Sequence, residues 1–271
     1  MPDRVLRGGF LLRCVAALVA GLLVAPTLVV IPLSFTGKAS FAFPPEDWSL
    51  RWYRNFFTSG AWAESLLTSL QVAVVVAVVA TAIGTAAAVA LSHVRFRAKG
   101  LVTGMLLTPI VVPQIVTAVA IYSAFLTWGL AGTLPGFIAA HVVLAIPYVL
   151  IAVSSSLQGY DTRLDQAAAI LGATPWRRFR RVTLPLILPG VLSGAVFAFV
   201  TSLDEVVIAF YLQSPTLRTL PVKMFSSVTV EPDPTIAAAS SLLVVFTTAA
   251  ILLPQLLRRD PARSRNSGGQ P

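Results

Sequence analysis

Long apolar runs separated by short polar clusters dominate the chain. Six runs are long enough to cross a hydrocarbon core, which takes about 20 apolar residues as helix. They are Cys14–Phe35, Leu66–Ser92, Leu101–Leu126, Gly136–Ser154, Ile187–Leu212 and Thr235–Leu257. The pattern predicts an all-α fold: a polytopic membrane protein with six transmembrane helices. The first run follows Arg4, Arg7 and Arg13, as a signal peptide would. It exceeds the ~7–15 apolar residues of a signal core and shows no small-x-small cleavage site before Pro26, so it reads as an uncleaved first helix. From Arg258 the sequence RRDPARSRNSGGQP is polar and rich in Pro, Gly and Ser. That predicts one membrane domain over 1–258 and a disordered tail over 259–271.

One polar interval differs from the rest. Between the fourth and fifth runs, residues 161–185 carry a helical pattern of their own. Asp161 is placed to cap a helix on which Leu164, Ala167, Ala168 and Leu171 recur at i, i+3, i+4 and i+7. Gly172 stands where a left-handed residue ends such a helix. Thr174 then caps a second helix with Pro175 at its first position. Trp176, Phe179 and Val182 fall three apart on it, Arg177, Arg178, Arg180 and Arg181 take the other faces, and Pro185 marks its end. Such a pair could lie on anionic headgroups. Alternatively it could dock into another protein, which the tight turn and small-residue stripe favour.

Composition and charge fit this picture. The chain is 56% hydrophobic and 11% charged, with mean hydropathy +0.81, where soluble proteins carry about 25% charged residues. A pI near 10.6 invites a nucleic-acid reading, but the basic residues lie in clusters between spans, as topology determinants do. Arg4, Arg7, Arg13, Arg95, Arg97, Lys99, the insert arginines and Arg258, Arg259, Arg263 and Arg265 fall on one side. Only Lys38, Arg51, Arg54, Arg218 and Lys223 fall on the other. The positive-inside rule therefore puts both termini and the insert in the cytoplasm. Cys14, the single cysteine, excludes an intrachain disulfide and reads as a small hydrophobe.

The insert resembles the cytoplasmic loop of importer-type ABC-transporter permeases, whose pattern is Glu-Ala-Ala, three residues, Gly, nine residues, Ile-x-Leu-Pro. Here it runs Gln166-Ala167-Ala168, Gly172, Val182-Thr183-Leu184-Pro185. The spacing is kept, while Gln166 replaces the Glu, with Asp165 beside it as a possible compensating charge. DWSLRWYRNFF (47–57), LLTPIVVPQIV (106–116), SLDEVVIAFYL (202–212) and RTLPVKMFSSV (218–228) are similar to the spermidine/putrescine-type branch. Ferric-iron, thiosulfate-type and opine permeases share parts of these stretches. The resemblance implies coupling helices gripping a partner ATPase through Gln166, Ala167, Ala168, Leu171, Gly172, Pro175, Trp176 and Phe179. It further implies two copies of a cytoplasmic ATP-binding subunit holding ATP and Mg, with no cofactor in this chain. A second homologous permease, an extracytoplasmic substrate-binding protein and a bacterial inner-membrane location complete the expected assembly. Polyamine is the leading substrate, with an amino-acid or opine-like compound or iron as alternatives.

Asp204 and Glu205 are the acidic residues placed within a span, where an unpaired carboxylate costs about 2.5–3.5 kcal/mol. At ~1.5 Å per residue from Ile187, Asp204 lies about 25 Å in, in the outer half of the membrane. The two side chains point about 100° apart on a helix, so different roles are expected of them. Phe197, Thr201, Asp204, Ile208 and Tyr211 share one face of a continuous fifth helix, a mixture suited to an organic ammonium. Thr201, Asp204, Glu205 and Tyr211 are therefore candidate pathway residues, against a structural role for either carboxylate. In the third run Pro109 and Pro113 either kink the helix or free carbonyls to line a path. Gln114, where polyamine-type permeases often have Glu, joins the pathway candidates. His141 reads as a hydrogen-bonded packing residue, His93 as a snorkelling one, and Trp52, Tyr53 and Trp128 as interfacial aromatics. Residues 214–228 form either a short helix folded over the path or a surface helix.

Other classes are weaker. An intramembrane enzyme would need a motif such as HExxH or GxSxG, and the chain has neither. Without GxxxxGK[ST] it is not the ATPase. A standalone carrier would show an internal repeat and need no docking insert. No catalytic and no metal-ligating residue is assigned.

Overall fold

A computed structural model of the protein describes residues 3–39, 42–93, 97–161, 163–229 and 233–257. The predicted tail, 259–271, lies outside the described residues. In chain order the helices are α1 (Asp3–Leu33), α2 (Arg51–Thr58), α3 (Gly60–His93), α4 (Lys99–Val111), α5 (Gln114–Thr127) and α6 (Leu134–Gln158). They continue with α7 (Arg163–Ile170), α8 (Pro175–Arg178), α9 (Leu184–Leu203), α10 (Val207–Leu212), α11 (Leu220–Thr229) and α12 (Thr235–Leu257). Among the described residues no strand is present beyond two isolated bridges. Five helical runs are long and apolar enough to cross a membrane, and the bent pair α4–α5 makes a sixth.

The chain divides into two compact units. The first comprises the described residues of Met1–Ala63 and Ser226–Pro271. In it α12 packs against α1 and α2, and α2 works as a clamp. Its Trp52 and Phe56, four residues apart on one face, are buried. Tyr53 lies 2.6 Å from the Ser34 hydroxyl, its own hydroxyl donates to Ser241 (3.2 Å), and Asn55 donates to Thr235 at 2.7 Å. Trp62 Nε1 donates to Asp233 at 2.9 Å. Trp52 also carries the Arg51 guanidinium 4.8 Å above its ring.

The second unit, Glu64–Phe225, is built on α6. Helices in lipid gain little by hiding apolar surface from one another, so close backbone approach through small residues holds them together. The α6–α9 seam shows this at Gly190, where an added Cβ would meet Ser156 Oγ and stand 2.8 Å from the Ala152 carbonyl. Val149 of α6 is fully buried between Gly84 of α3 and Gly194 of α9.

Three expected continuities differ. The predicted third span, Leu101–Leu126, is two helices bent by 106° at Val112–Pro113. The fifth stops at Leu203 and restarts as α10 at Val207. Its proposed single face therefore ends at Asp204, and Ile208 beyond it is fully buried. Pro185 does not terminate the second insert helix. A π-helical turn over Phe179–Thr183 joins α8 to α9, with the Leu184 N–H bonded to the Phe179 carbonyl five residues back. Pro185 then falls in the first turn of α9, where its missing N–H and fixed φ are tolerated.

Candidate functional site

The insert and the two span breaks, all within the second unit, collect the chain's unusual polar chemistry. In the insert, Asp161 Oδ1 accepts from the Arg163 N–H at 2.9 Å, at the start of α7. Gly172 has φ +78, a left-handed value that closes the helix, and the Ala173 N–H reaches back to the Ala168 carbonyl (3.0 Å). Thr174 accepts from the Arg177 N–H with Pro175 in the first turn of α8. Trp176 and Phe179 stack on the next turns, 5.7 Å between ring centres. Burial is the main cause that raises the pKa of Tyr160, at the entrance to the insert.

Beside its exposed arginines the insert also exposes large apolar side chains. Ile170 is 87% exposed, Leu171 86% and Trp176 68%, and Gln166 and Ala167 are exposed beside them. Ile170 escaped the sequence reading because it falls off the stripe set by Leu164, Ala167, Ala168 and Leu171. Asp165 does not supply the charge that Gln166 lacks. It is buried and turned inward, accepting from Thr183 at 3.3 Å and facing His93 Nε2 at 3.2 Å. His93 is thus tied to the insert, where the sequence suggested only snorkelling. Gln166 and Pro175 line a cleft of about 340 Å³ above this contact.

At the other site the breaks of the third and fifth spans meet. Glu205, 4% exposed, accepts from the Ile208 N–H at 2.8 Å and the Ala209 N–H at 2.7 Å. It thereby satisfies two of the donors that open every helix, here those of α10. It also accepts from Gln114 Nε2 at 2.9 Å, the first residue of α5. His141 of α6 sits behind: its Nδ1 lies 2.9 Å from Ser202 Oγ, its Nε2 3.6 Å from Glu205, and its ring stacks on Phe137 at 4.7 Å. One carboxylate therefore joins both breaks. Asp204, its neighbour, is exposed.

Beside this tie is a cleft of about 310 Å³, lined by Pro109–Gln114, Leu144, Tyr148 and Thr201. Of the predicted pathway residues it takes in Gln114 and Thr201 and leaves out Asp204, Glu205 and Tyr211. Tyr211 lies on α10 against Tyr122, 6.1 Å between ring centres. Tyr148 and Ser202 were missed, while His141 is the buried, hydrogen-bonded packing residue that the sequence suggested. An intramembrane His about two helical turns before Pro147 and Tyr148 was the available signal. Among the described residues no three His, Cys, Asp or Glu side chains gather as metal ligands.

A helical membrane protein with broken spans beside a polar cleft, and exposed apolar side chains on a basic loop, has the architecture of a transport permease. The chain belongs to the binding-protein-dependent transport system inner membrane components, the family that matches residues 80–260. It is a multi-pass inner-membrane protein and a permease component rather than an enzyme. It is 33% identical over 269 residues to the spermidine/putrescine transport system permease protein PotC of Shigella flexneri, covering 99% of each chain. It is 34% identical over 229 residues to the putrescine transport system permease protein PotI of Escherichia coli K12, covering 82% of this chain and 81% of that one. Among solved structures, a bacterial ABC transporter involved in the import of alginate shares the fold, with TM-score 0.72 and 14% identity over 96% of this chain and 98% of that one.

Proposed function

We propose that this chain is one permease of an ATP-binding-cassette importer that carries polyamines, putrescine or spermidine, into the cytoplasm. The observation that carries the substrate class is the near-full-length similarity to permeases named for those polyamines. The exposed carboxylate of Asp204, three residues beyond Thr201 of the polar cleft, supports it chemically. In this reading both termini and residues 161–185 are cytoplasmic. Two copies of a partner ATPase, which hold ATP and Mg, grip Ile170, Leu171 and Trp176. A second related permease completes the pathway, and an extracytoplasmic binding protein delivers cargo.

The coupling route follows from continuity. Pro175–Leu203 is one helical run of 29 residues, about 43 Å at 1.5 Å per residue. Closure of the ATPases on Trp176 therefore moves a rod whose far end is the Asp204 break. Opening the break outward would admit cargo, and hydrolysis would reset it.

The test is ATPase stimulation in the complex co-purified with its partner subunits, using binding protein loaded with candidate ligands. Stimulation by putrescine or spermidine is expected. Stimulation only by another small solute would keep the importer and remove the polyamine. A chain that recruits no ATPase would return the insert to the membrane surface.

A further inference from the structure

Resting on the polyamine reading, we propose that the cleft at the α4–α5 break is a binding site for a primary alkylammonium group, with Tyr148, Thr201 and the last carbonyls of α4 as its ligands. The last carbonyls of a helix have no partner within it. In α4 the Thr108 carbonyl is satisfied by the Val112 N–H at 3.0 Å. Pro113 has no N–H to give Pro109. The 106° bend carries the next N–H groups off the axis along which the Ile110 and Val111 carbonyls point. Ile110 and Val111 line the cleft, which therefore lies at the C-terminal end of α4, the negative pole of its dipole.

The side chains can add acceptors. Glu205 accepts one N–H of the Gln114 amide, which leaves Gln114, a lining residue of the cleft, a second N–H and an acceptor oxygen. Thr201 and Tyr148 line the cleft as well, bringing a hydroxyl and an aromatic ring, whose face can attract a cation through its quadrupole. Among the described residues no lysine or arginine lines the space. Asp204 follows Thr201 by three residues, about one helical turn, and is exposed. An R–NH3+ group offers three donors, which suits a set of acceptors. Leu144 and the ring of Tyr148 suit the methylenes behind it better than they suit a bare metal ion. A volume of about 310 Å³ falls at the small end of ligand sites.

The experiment is uptake by the full complex in proteoliposomes, normalised to assembled complex, with the KM for putrescine-loaded binding protein measured separately from the maximal rate. Tyr148→Leu is expected to raise KM about tenfold, while Tyr148→Phe, which keeps the ring, stays within about twofold. Thr201→Val, of similar shape, is expected to raise it about threefold to tenfold. Wild-type KM in both Tyr148→Leu and Thr201→Val overturns the site. If the wild-type complex moves no polyamine, the substrate reading fails on its own. The cleft is then judged on the purified permease, by whether putrescine raises the melting temperature more than 1,4-butanediol, its neutral counterpart of equal length. A rise in wild type that Tyr148→Leu abolishes supports the ammonium site, and equal melting with both compounds overturns it.

Discussion

The bond between Gln114 and Glu205 predicts a specific pattern of stability. Glu205 accepts three hydrogen bonds on two oxygens, from Gln114 at 2.9 Å, Ile208 at 2.8 Å and Ala209 at 2.7 Å. In Glu205→Gln one oxygen becomes an NH2 that meets N–H donors head-on. A hydrogen bond to a charged group contributes about 1.5–3 kcal/mol, and an orphaned buried donor costs a similar amount. A loss of about 3 kcal/mol follows, or roughly 6–12 °C in melting temperature at 2–4 °C per kcal/mol. Gln114→Glu sets two carboxylates against each other and also destabilises. The double exchange, Gln114→Glu with Glu205→Gln, restores a donor opposite an acceptor. It should melt about 3–12 °C above the value that the two single losses give when added, a coupling of about 1.5–3 kcal/mol. The five tryptophans make intrinsic fluorescence of the purified permease the natural assay. Additive losses would refute the claim that this bond ties the two breaks together.

Three further predictions use other parts of the molecule. Leu171→Asp, on a side chain 86% exposed, should melt within about 1 °C of wild type yet lose the co-purifying ATPase. Retention of the ATPase would move the docking face elsewhere. Gly190→Ala places a Cβ 2.8 Å from the Ala152 carbonyl, which cannot swing aside as Ser156 can. A loss of about 1–3 kcal/mol is expected, and an unchanged melt would show the α6–α9 seam to be slack. Asp204→Asn removes the charge three residues beyond Thr201 of the cleft and should lower polyamine uptake by about tenfold, roughly 1.4 kcal/mol; unchanged uptake would make Asp204 structural.

Much of this was legible because it is local or compositional. The Gly172 turn and the Thr174–Pro175 cap follow from what those residues do to their own backbones, and α12 begins and ends where the apolar run Thr235–Leu257 does. The breaks were less visible: Pro109 and Pro113 announced a kink in the third span without showing which of them would make it, and nothing announced the break in the fifth. Hydropathy runs without interruption through Leu101–Leu126, and its two prolines behave differently: Pro109 sits inside α4, while Pro113 lies at the bend. The difference is made by partners remote in sequence, since Gln114 is held by Glu205, 91 residues away. The fifth-span break contains no Pro or Gly at all. A carboxylate that finds the N–H groups of the next turn is enough to start α10, as capping residues do in water.

That use of Glu205 decides what is left for cargo. Adjacent carboxylates on a helix were expected to diverge, and the break completes the divergence: Glu205 is consumed by three protein donors, while Asp204 remains exposed. Gln114 is part of the same logic, because a glutamate there would repel Glu205 where an amide bonds it. On the proposed reading the cleft then offers a polyamine one nearby formal charge, with neutral carbonyl, hydroxyl and aromatic groups around it. A transport site must bind well enough for cargo to enter and weakly enough for it to leave. Two free carboxylates would hold a diammonium ion through both ends. A single carboxylate beside neutral acceptors favours passage, and leaves tight, selective capture to the binding protein outside.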